Sequence, residues 1–375
     1  MTGEIPREAL TRLKEMAVNY FGAEVAGADP LAGDASERSY VRLRHPGRAA
    51  IPGGAATSSV GMILASPFDK KELPFINVQA HFRAIGLPVP EIYAADHGGG
   101  LLLLEDAGDR TLEEVWNAGG WEAARPFYEE AIRLLAALRR APVENAGPEQ
   151  QDRLALSYGF DEALFMHELH MTRRCAFERL CGLPAPEAEF GPPFAALAGE
   201  LCTLPYALTH RDYHSRNLMA RGEYSTGEPA GLVDPAGLAD PAGLLVLDFQ
   251  DARLGPLTYD LASLVFDSYV PLPEEGRMAL VAQFRAESGA EDLFPDPAAF
   301  GRALCLTGLQ RNLKAIGTFA YQKTERGNPR YLRHISLTAA HVRRHLAALP
   351  EWSEFAALLE PYICALEEME KETVH

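Results

Sequence analysis

The sequence predicts an α+β chain of two unequal lobes, a small β-rich one followed by a larger, mainly helical one. Three observations point there. Apolar runs of strand length, "ERSYVRLR" (37–44), "SSVGMILA" (58–65) and "LLLLEDAGD" (101–109), are confined almost entirely to the first part of the chain. From residue 111 onward the apolar residues recur mainly at helical spacing. With 375 residues, 47% hydrophobic, 9% aromatic and 23% charged, the chain exceeds one ordinary domain and can bury a substantial core. The change of character falls in "LLLLEDAGD", which puts a first lobe at 1–105 and a second at 106–375.

In order, residues 6–21 read as an amphipathic helix. The strands at 37–44 and 58–65 flank the Gly/Pro/Ala stretch "HPGRAAIPGGAATSS", read as a long surface loop. "FINVQAHFRAIG" (75–86) is helical and ends at Gly86, and "VPEIYAADHGGGLLLLEDAGD" gives two strands joined at "DHGGG". Helices are expected at 111–140, 160–181, 193–203, 258–269, 276–287, 297–318, 331–347 and 351–372. Strands return only around 217–221 and 244–249. "EPAGLVDPAGLADPAGLL" (228–245) is three successive hexapeptides, too few and too rich in Pro and Gly for a solenoid. It reads as a surface insertion over 221–243.

The formal net charge of −17 repels phosphate backbones and anionic bilayers, so nucleic acid and membranes are poor partners. An anionic substrate needs its own basic pocket or a metal. No signal peptide is read at the N-terminus, and no run approaches the ~18–20 apolar residues of a membrane span. The five cysteines (Cys175, Cys181, Cys202, Cys305, Cys364) are scattered without a CxxC pair, which argues against a disulfide framework or a zinc knuckle. A cytoplasmic setting is expected.

"LTHRDYHSRNLMA" (208–220) packs His210, Arg211, Asp212, His214, Arg216 and Asn217 between apolar flanks, and "LLVLDFQDARLG" (244–255) delivers Asp248 and Asp251 from an apolar strand. Phosphoryl transfer needs this combination, because it is mostly positioning and charge neutralisation. Asp212 orients the acceptor hydroxyl and takes its proton. Asn217, at H-R-D-x-x-x-x-N spacing, and Asp248 supply oxygen ligands for Mg²⁺ against the phosphates of ATP. His210 and Arg211 read as structural. His214 and Arg216 are divided between loop packing and substrate contact, and Asp251 between metal binding and bracing of the loop. A metal hydrolase is disfavoured, since no HxxxH or cysteine cluster accompanies the histidines.

At these residues the chain resembles the aminoglycoside phosphotransferase/choline kinase-like superfamily, which implies a protein-kinase-like two-lobed fold. "GDASERSYVRL" (33–43), "GLPVPEIYAAD" (86–96), "LLLLEDAGD", "HRDYHSRNLM" (210–219), "LDFQDARLGPLTYDLASLVFDSY" (247–269) and "LQRNLKAIGTFAYQ" (309–322) resemble, in the same order, the anomeric N-acetylmuramate/N-acetylglucosamine kinases of peptidoglycan recycling. That resemblance implies an ATP- and Mg²⁺-dependent enzyme acting on a small amino sugar at its C1 hydroxyl. It places Glu105, Asp106 and Ala107 against the adenine through their backbone. Gln250, Asp251, Arg311 and Lys314 join His214 and Arg216 as candidates near the sugar.

The chain departs from the protein-kinase pattern in two places. "VGMILASPF" carries no lysine; Lys70 and Lys71 follow it, Arg38 and Arg42 precede it, and Arg42 is the candidate on the nucleotide side. "GDASERS" has a single glycine, so Ser36 and backbone N–H groups would have to cap the phosphates. Two other readings stay open: a kinase of another small hydroxylated substrate (aminoglycoside, choline, homoserine or other sugar), and a pseudokinase-like module that holds nucleotide without turnover.

Overall fold

The computed structural model describes residues 5–31, 38–51, 54–69, 73–141, 154–221 and 243–374. Ser36, Lys70, Lys71 and nearly all of the triple hexapeptide lie outside them. The elements run α1 (Arg7–Phe21), β1 (Gly27–Leu31), β2 (Ser39–Ile51), β3 (Gly54–Ile63), α2 (Pro74–Ala84), β4 (Ile92–Asp96), β5 (Leu101–Glu105), α3 (Leu112–Arg140), α4 (Leu154–Ser157), α5 (Glu162–Thr172), α6 (Glu187–Thr203), β6 (Tyr206–Thr209), β7 (Leu218–Arg221), β8 (Gly243–Val246), β9 (Arg253–Pro256), α7 (Tyr259–Val265), α8 (Glu274–Ser288), α9 (Ala290–Leu293), α10 (Pro297–Thr324), α11 (Ile335–Ala347) and α12 (Ser353–Val374). They form two compact units, Met1–Arg110 with Met219–Gln250, and Thr111–Leu218 with Asp251–His375.

The first unit is built on a five-stranded antiparallel sheet of order β1-β2-β3-β5-β4. Leu13, Ala17 and Phe21 recur every four residues on α1 and bury one face against Val41, Leu43, Ile63, Leu101 and Leu103. Leu102 and Leu104 point to the other face and are equally buried, so β5 reads as a continuous apolar run because neither of its faces meets water. The stretch expected to be a surface loop is instead the far end of the β2–β3 hairpin, paired Ala49↔Ala56 through Ile51↔Gly54. A ladder needs only backbone N–H and C=O groups, which an Ala-rich segment supplies. The register shifts between Arg44 and Ala49, where Pro46 has no N–H to offer. Pairing also recruits β1, β6 and β9, short segments without a strand pattern of their own.

In the same unit β7 pairs with β8. The pair is tied down by Ala220 N–H to the Arg110 carbonyl (2.7 Å) and Val246 N–H to that of Pro88 (2.8 Å). Just beyond β8, the fully buried Phe249 lodges against Phe75 and Phe82 of α2, with ring centroids 4.9 and 6.0 Å away. These contacts set the position of Asp248.

The second unit is helical apart from the β6–β9 ladder and the start of β7. Thr111 and Glu114 form a reciprocal capping box at the start of α3. That helix breaks at Gly120, whose φ of 64° lies in the left-handed region. α6 begins at Glu187, earlier than expected, with Pro192 and Pro193 inside it. Phe190, Phe194, Leu197, Ala198 and Leu201 bury a single face, and that burial outweighs the lost hydrogen bonds. α10 is the central element, buried or partly buried on all sides from Ala303 to Ala320, with Asp296 capping its start. No described helix is long and apolar enough to cross a membrane, and all five cysteines are free.

α5 and α10 approach closely at Gly317, where Thr172 Oγ1 also donates to the Leu313 carbonyl (2.8 Å). A Cβ at 317 would lie 2.4 Å from Thr172 Oγ1 and 2.8 Å from its Cα, and the latter cannot rotate away. Gly317→Ala is therefore expected to cost about 1–3 kcal/mol, read as a lower melting temperature. An unchanged melting temperature would contradict this packing.

Candidate active site

The loop that follows β6 is held from both ends inside the second unit. Asp260, in the first turn of α7, accepts the backbone N–H groups of His210 (2.6 Å) and Arg211 (2.9 Å). It is 4% exposed; burial pushes its carboxyl up to about 7, against the two N–H groups, which favour the charged form. These bonds stabilise a left-handed turn at Arg211, whose φ is 82°. Further along, Asp267 accepts the N–H of Ser215 (2.8 Å) and of Tyr269 (2.9 Å), and the buried Tyr213 hydroxyl donates to the Ala131 carbonyl (3.0 Å). Arg216 makes two bonds to Glu113 (2.6 and 3.0 Å), lies over the Tyr269 ring at 3.8 Å and reaches His334 at 3.0 Å. Asn217 Nδ2 donates to the Asp212 carbonyl (2.9 Å), which closes the loop on itself.

Asp212 lies half-buried inside this frame, facing α10. Lys314 Nζ is 3.2 Å from its Oδ1 and Arg311 Nη2 3.9 Å. Burial alone would raise its carboxyl. Lys314, Arg311 and Arg211 outweigh burial and hold it well below the usual carboxylate range. Behind Lys314, the buried Glu168 collects Arg211 (3.0 Å), Gln310 (2.8 Å) and Lys314 (3.9 Å). Arg211 also pairs with Asp251 at 3.4 Å, so Asp251 braces the loop. His214 stands edge-on to Tyr269, and burial, followed by Arg311, brings it down to about 3, so it stays neutral at ordinary pH. Arg311 Nε donates to Ser263 Oγ (2.7 Å).

The remaining candidates belong to the first unit. Asp248 is exposed and left-handed, with φ 59°, and accepts from Gln250 Nε2 at 2.7 Å. Arg211 and Asp248 are the two non-glycine residues with positive φ among those described, and each opens a chemistry-bearing motif. Arg42 is given to carboxylates: Asp106 at 2.6 and 3.0 Å and Asp109 at 2.8 Å. Glu105 bonds Arg221 (2.7 Å) and accepts the Glu91 N–H (3.0 Å). Asp106 also accepts the Gly108 N–H (3.0 Å), which tightens the turn around Ala107.

Among the described residues no group of three or more His, Cys, Asp or Glu is placed to hold a metal. Asn217 and Asp248 nevertheless suit Mg²⁺, which takes one or two protein oxygens and completes its shell with phosphate and water. The Asn217 amide spends its nitrogen on Asp212, which leaves Oδ1 as its ligating atom. Asn217 belongs to the second unit and Asp248 to the first.

Reading the motifs missed Glu113, Glu168, Asp260 and Asp267. Asp260 and Asp267 did leave a signal. Each is a lone acid in an otherwise nearly uncharged stretch, "PLTYDLASLVFDSYV", and a buried carboxylate there must have partners. Glu113 sits beside Glu114 and left none, while Glu168 is the lone acid between Glu162 and Glu178, set between His167 and His170.

Comparison with known proteins gives the family. Residues 63–300 match the phosphotransferase enzyme family. The N-acetylmuramate/N-acetylglucosamine kinase of Pseudomonas putida is 31% identical over 91% of this chain and 90% of its own. That of Pseudomonas aeruginosa is 30% identical over 92% of each. A solved Plasmodium vivax ethanolamine kinase shares the fold, with TM-score 0.55 and 10% identity, over 85% of this chain and 81% of its own. The chain belongs to the phosphotransferase enzyme family.

Asp260→Ala would leave two buried N–H donors without an acceptor, at about 1–3 kcal/mol each. Denaturant unfolding should show that loss, and kcat should fall more than KM as Asp212 loses its frame. Asp260→Asn, which keeps one acceptor oxygen, should lie between the two. Wild-type stability in the alanine variant would refute the brace.

Proposed function

We propose that this phosphotransferase moves the γ-phosphoryl group of ATP onto the anomeric C1 hydroxyl of N-acetylmuramate and N-acetylglucosamine. The observation that carries the reading is the Asp212 carboxylate, 3.2 Å from Lys314 Nζ and held on a locked loop whose Asn217 bonds the same residue's carbonyl. The nearly full-length likeness to kinases named for those two sugars supports the choice of acceptor.

Asp212 takes the proton of the C1 hydroxyl as its oxygen bonds to phosphorus. The anomeric hydroxyl is more acidic than an ordinary alcohol, and proton transfer contributes little in a loose transition state, so a weakly basic carboxylate suffices. Asn217 and Asp248 would each offer an oxygen ligand to Mg²⁺, and the ion would supply positive charge to offset the negative charge developing on the phosphates. Gln250 orients the Asp248 carboxylate. Glu105, Asp106 and Ala107 meet the adenine through backbone groups. The Glu105 and Asp106 side chains are already committed to Arg221 and Arg42, and Arg42 acts on the nucleotide by fixing that segment. His214 and Arg216 serve the sugar indirectly, through the loop they hold.

The acceptor position is open to a direct test. A methyl glycoside of N-acetylglucosamine has no free C1 hydroxyl and should give no product, whereas the free sugar turns over and its product shows phosphorus coupled to the anomeric proton in NMR. Turnover of the methyl glycoside, or phosphate on C6, would exclude the anomeric reading.

The metal assignment is tested separately. Asp248→Ala should abolish the Mg²⁺-dependent part of ATP binding in calorimetry, since it removes the charged ligand. A Kd for Mg-ATP equal to the wild type would remove Asp248 from that role.

A further inference from the structure

We infer that Lys314 is a catalytic residue, whose ammonium meets the phosphoryl group as it passes to the acceptor held against Asp212. This rests on the reading of Asp212 as the base.

The first support is geometric. Lys314 Nζ stands 3.2 Å from Asp212 Oδ1, on a side chain only 12% exposed and rooted in the central helix. Its second acid, Glu168, is farther away at 3.9 Å and already bonded to Arg211 and Gln310, so the ammonium is directed at Asp212.

The second support is a cost that needs a reason. Burying a lysine against a carboxylate sacrifices hydration and side-chain freedom, and an apolar pair of the same volume is often as stable. Here the cation also makes the base less basic, which slows proton abstraction. Phosphoryl transfer reverses that balance. Its transition state asks little of the base and much of the cations around the transferred group. A lysine beside the base is a loss for proton transfer and a gain for phosphoryl transfer.

The third support is how several other basic side chains are engaged. β3 carries no lysine, and on β2 Arg42 is bonded to Asp106 and Asp109 and Arg44 to Asp29. On the loop that carries Asp212, Arg211 is bonded to Glu168 and Arg216 to Glu113. Arg311 is bonded to Ser263 and stands farther from Asp212 than Lys314 does.

In the step itself, the bond between the C1 oxygen and phosphorus forms and the bond from phosphorus to the bridging oxygen of ADP breaks. The hydroxyl proton goes to Asp212. Lys314 keeps its three protons and donates to a phosphoryl oxygen throughout.

Lys314→Gln keeps a hydrogen-bond donor near Asp212 but removes the charge. kcat should fall at least about 100-fold, the scale for losing one transition-state donor, with KM for sugar and ATP nearly unchanged. Affinity for the complex of ADP, Mg²⁺ and aluminium fluoride, a planar phosphoryl mimic, with sugar present should fall in parallel, while affinity for ADP alone stays the same. Should the glutamine variant not fold, Lys314→Met, which fills the volume of the stem, carries the same test. A kcat close to wild type, or an aluminium fluoride complex as tight as wild type, overturns the inference. Asp212→Asn separates the two ideas. If that variant turns over, the base reading fails; if it is dead while Lys314→Gln is active, only the role of Lys314 fails.

Discussion

A single buried carboxylate, Asp260, accepts hydrogen bonds from two successive backbone N–H groups, and the shape of the loop after β6 follows from it. Without that acceptor, an arginine would have little reason to take up a left-handed backbone. With it, the chain turns sharply after β6. The Arg211 side chain then reaches Glu168 and Asp251, and the next residue presents its carboxylate to α10. Conformational strain at Arg211 is offset by buried hydrogen bonds at Asp260, so geometry and stability are set by the same few atoms.

The same economy appears in α10. Thr307, Gln310, Arg311 and Asn312 lie buried in a helix otherwise surrounded by apolar packing, and each has a named partner: Thr258, Glu168, Ser263, and Phe266 with His345. Buried polar groups in a low-dielectric interior are costly when unpaired and specific when paired. α10 is thus fixed in rotation and in register, which keeps Lys314 aimed at Asp212 within a narrow range.

Much of this was legible in the sequence. The H-R-D…N spacing and the aspartate at the end of an apolar strand lie in the order of the residues themselves, so Asp212, Asn217 and Asp248 could be singled out as candidates without knowing the fold. The switch from strand to helix periodicity near residue 110 was equally plain. What could not be read depends on partners distant in sequence. Arg216 might as well have faced a substrate, until Glu113 and Tyr269 are found around it. Arg42 looked like a phosphate ligand because nothing local indicates Asp106 and Asp109. β1, β6 and β9 are strands because a neighbour pairs with them, and the end of the β2–β3 hairpin shows that Gly, Pro and Ala do not by themselves make a loop.

The anchored base formed by β7 and β8 bears on engineering. Hydrogen bonds to Arg110 and Pro88 hold its two strands, and Phe249 is wedged into α2 just past the second. Arg221 and Gly243 are therefore a fixed pair of endpoints. Closing a flexible insert between fixed ends costs only ~0.6 kcal/mol for each doubling of its length. A fluorescent protein or an affinity handle spliced in there would be carried by the enzyme as cargo, and its attachment points lead straight to the aspartate that opens the second motif. A reporter at that position would be linked through β8 to Asp248 without replacing it.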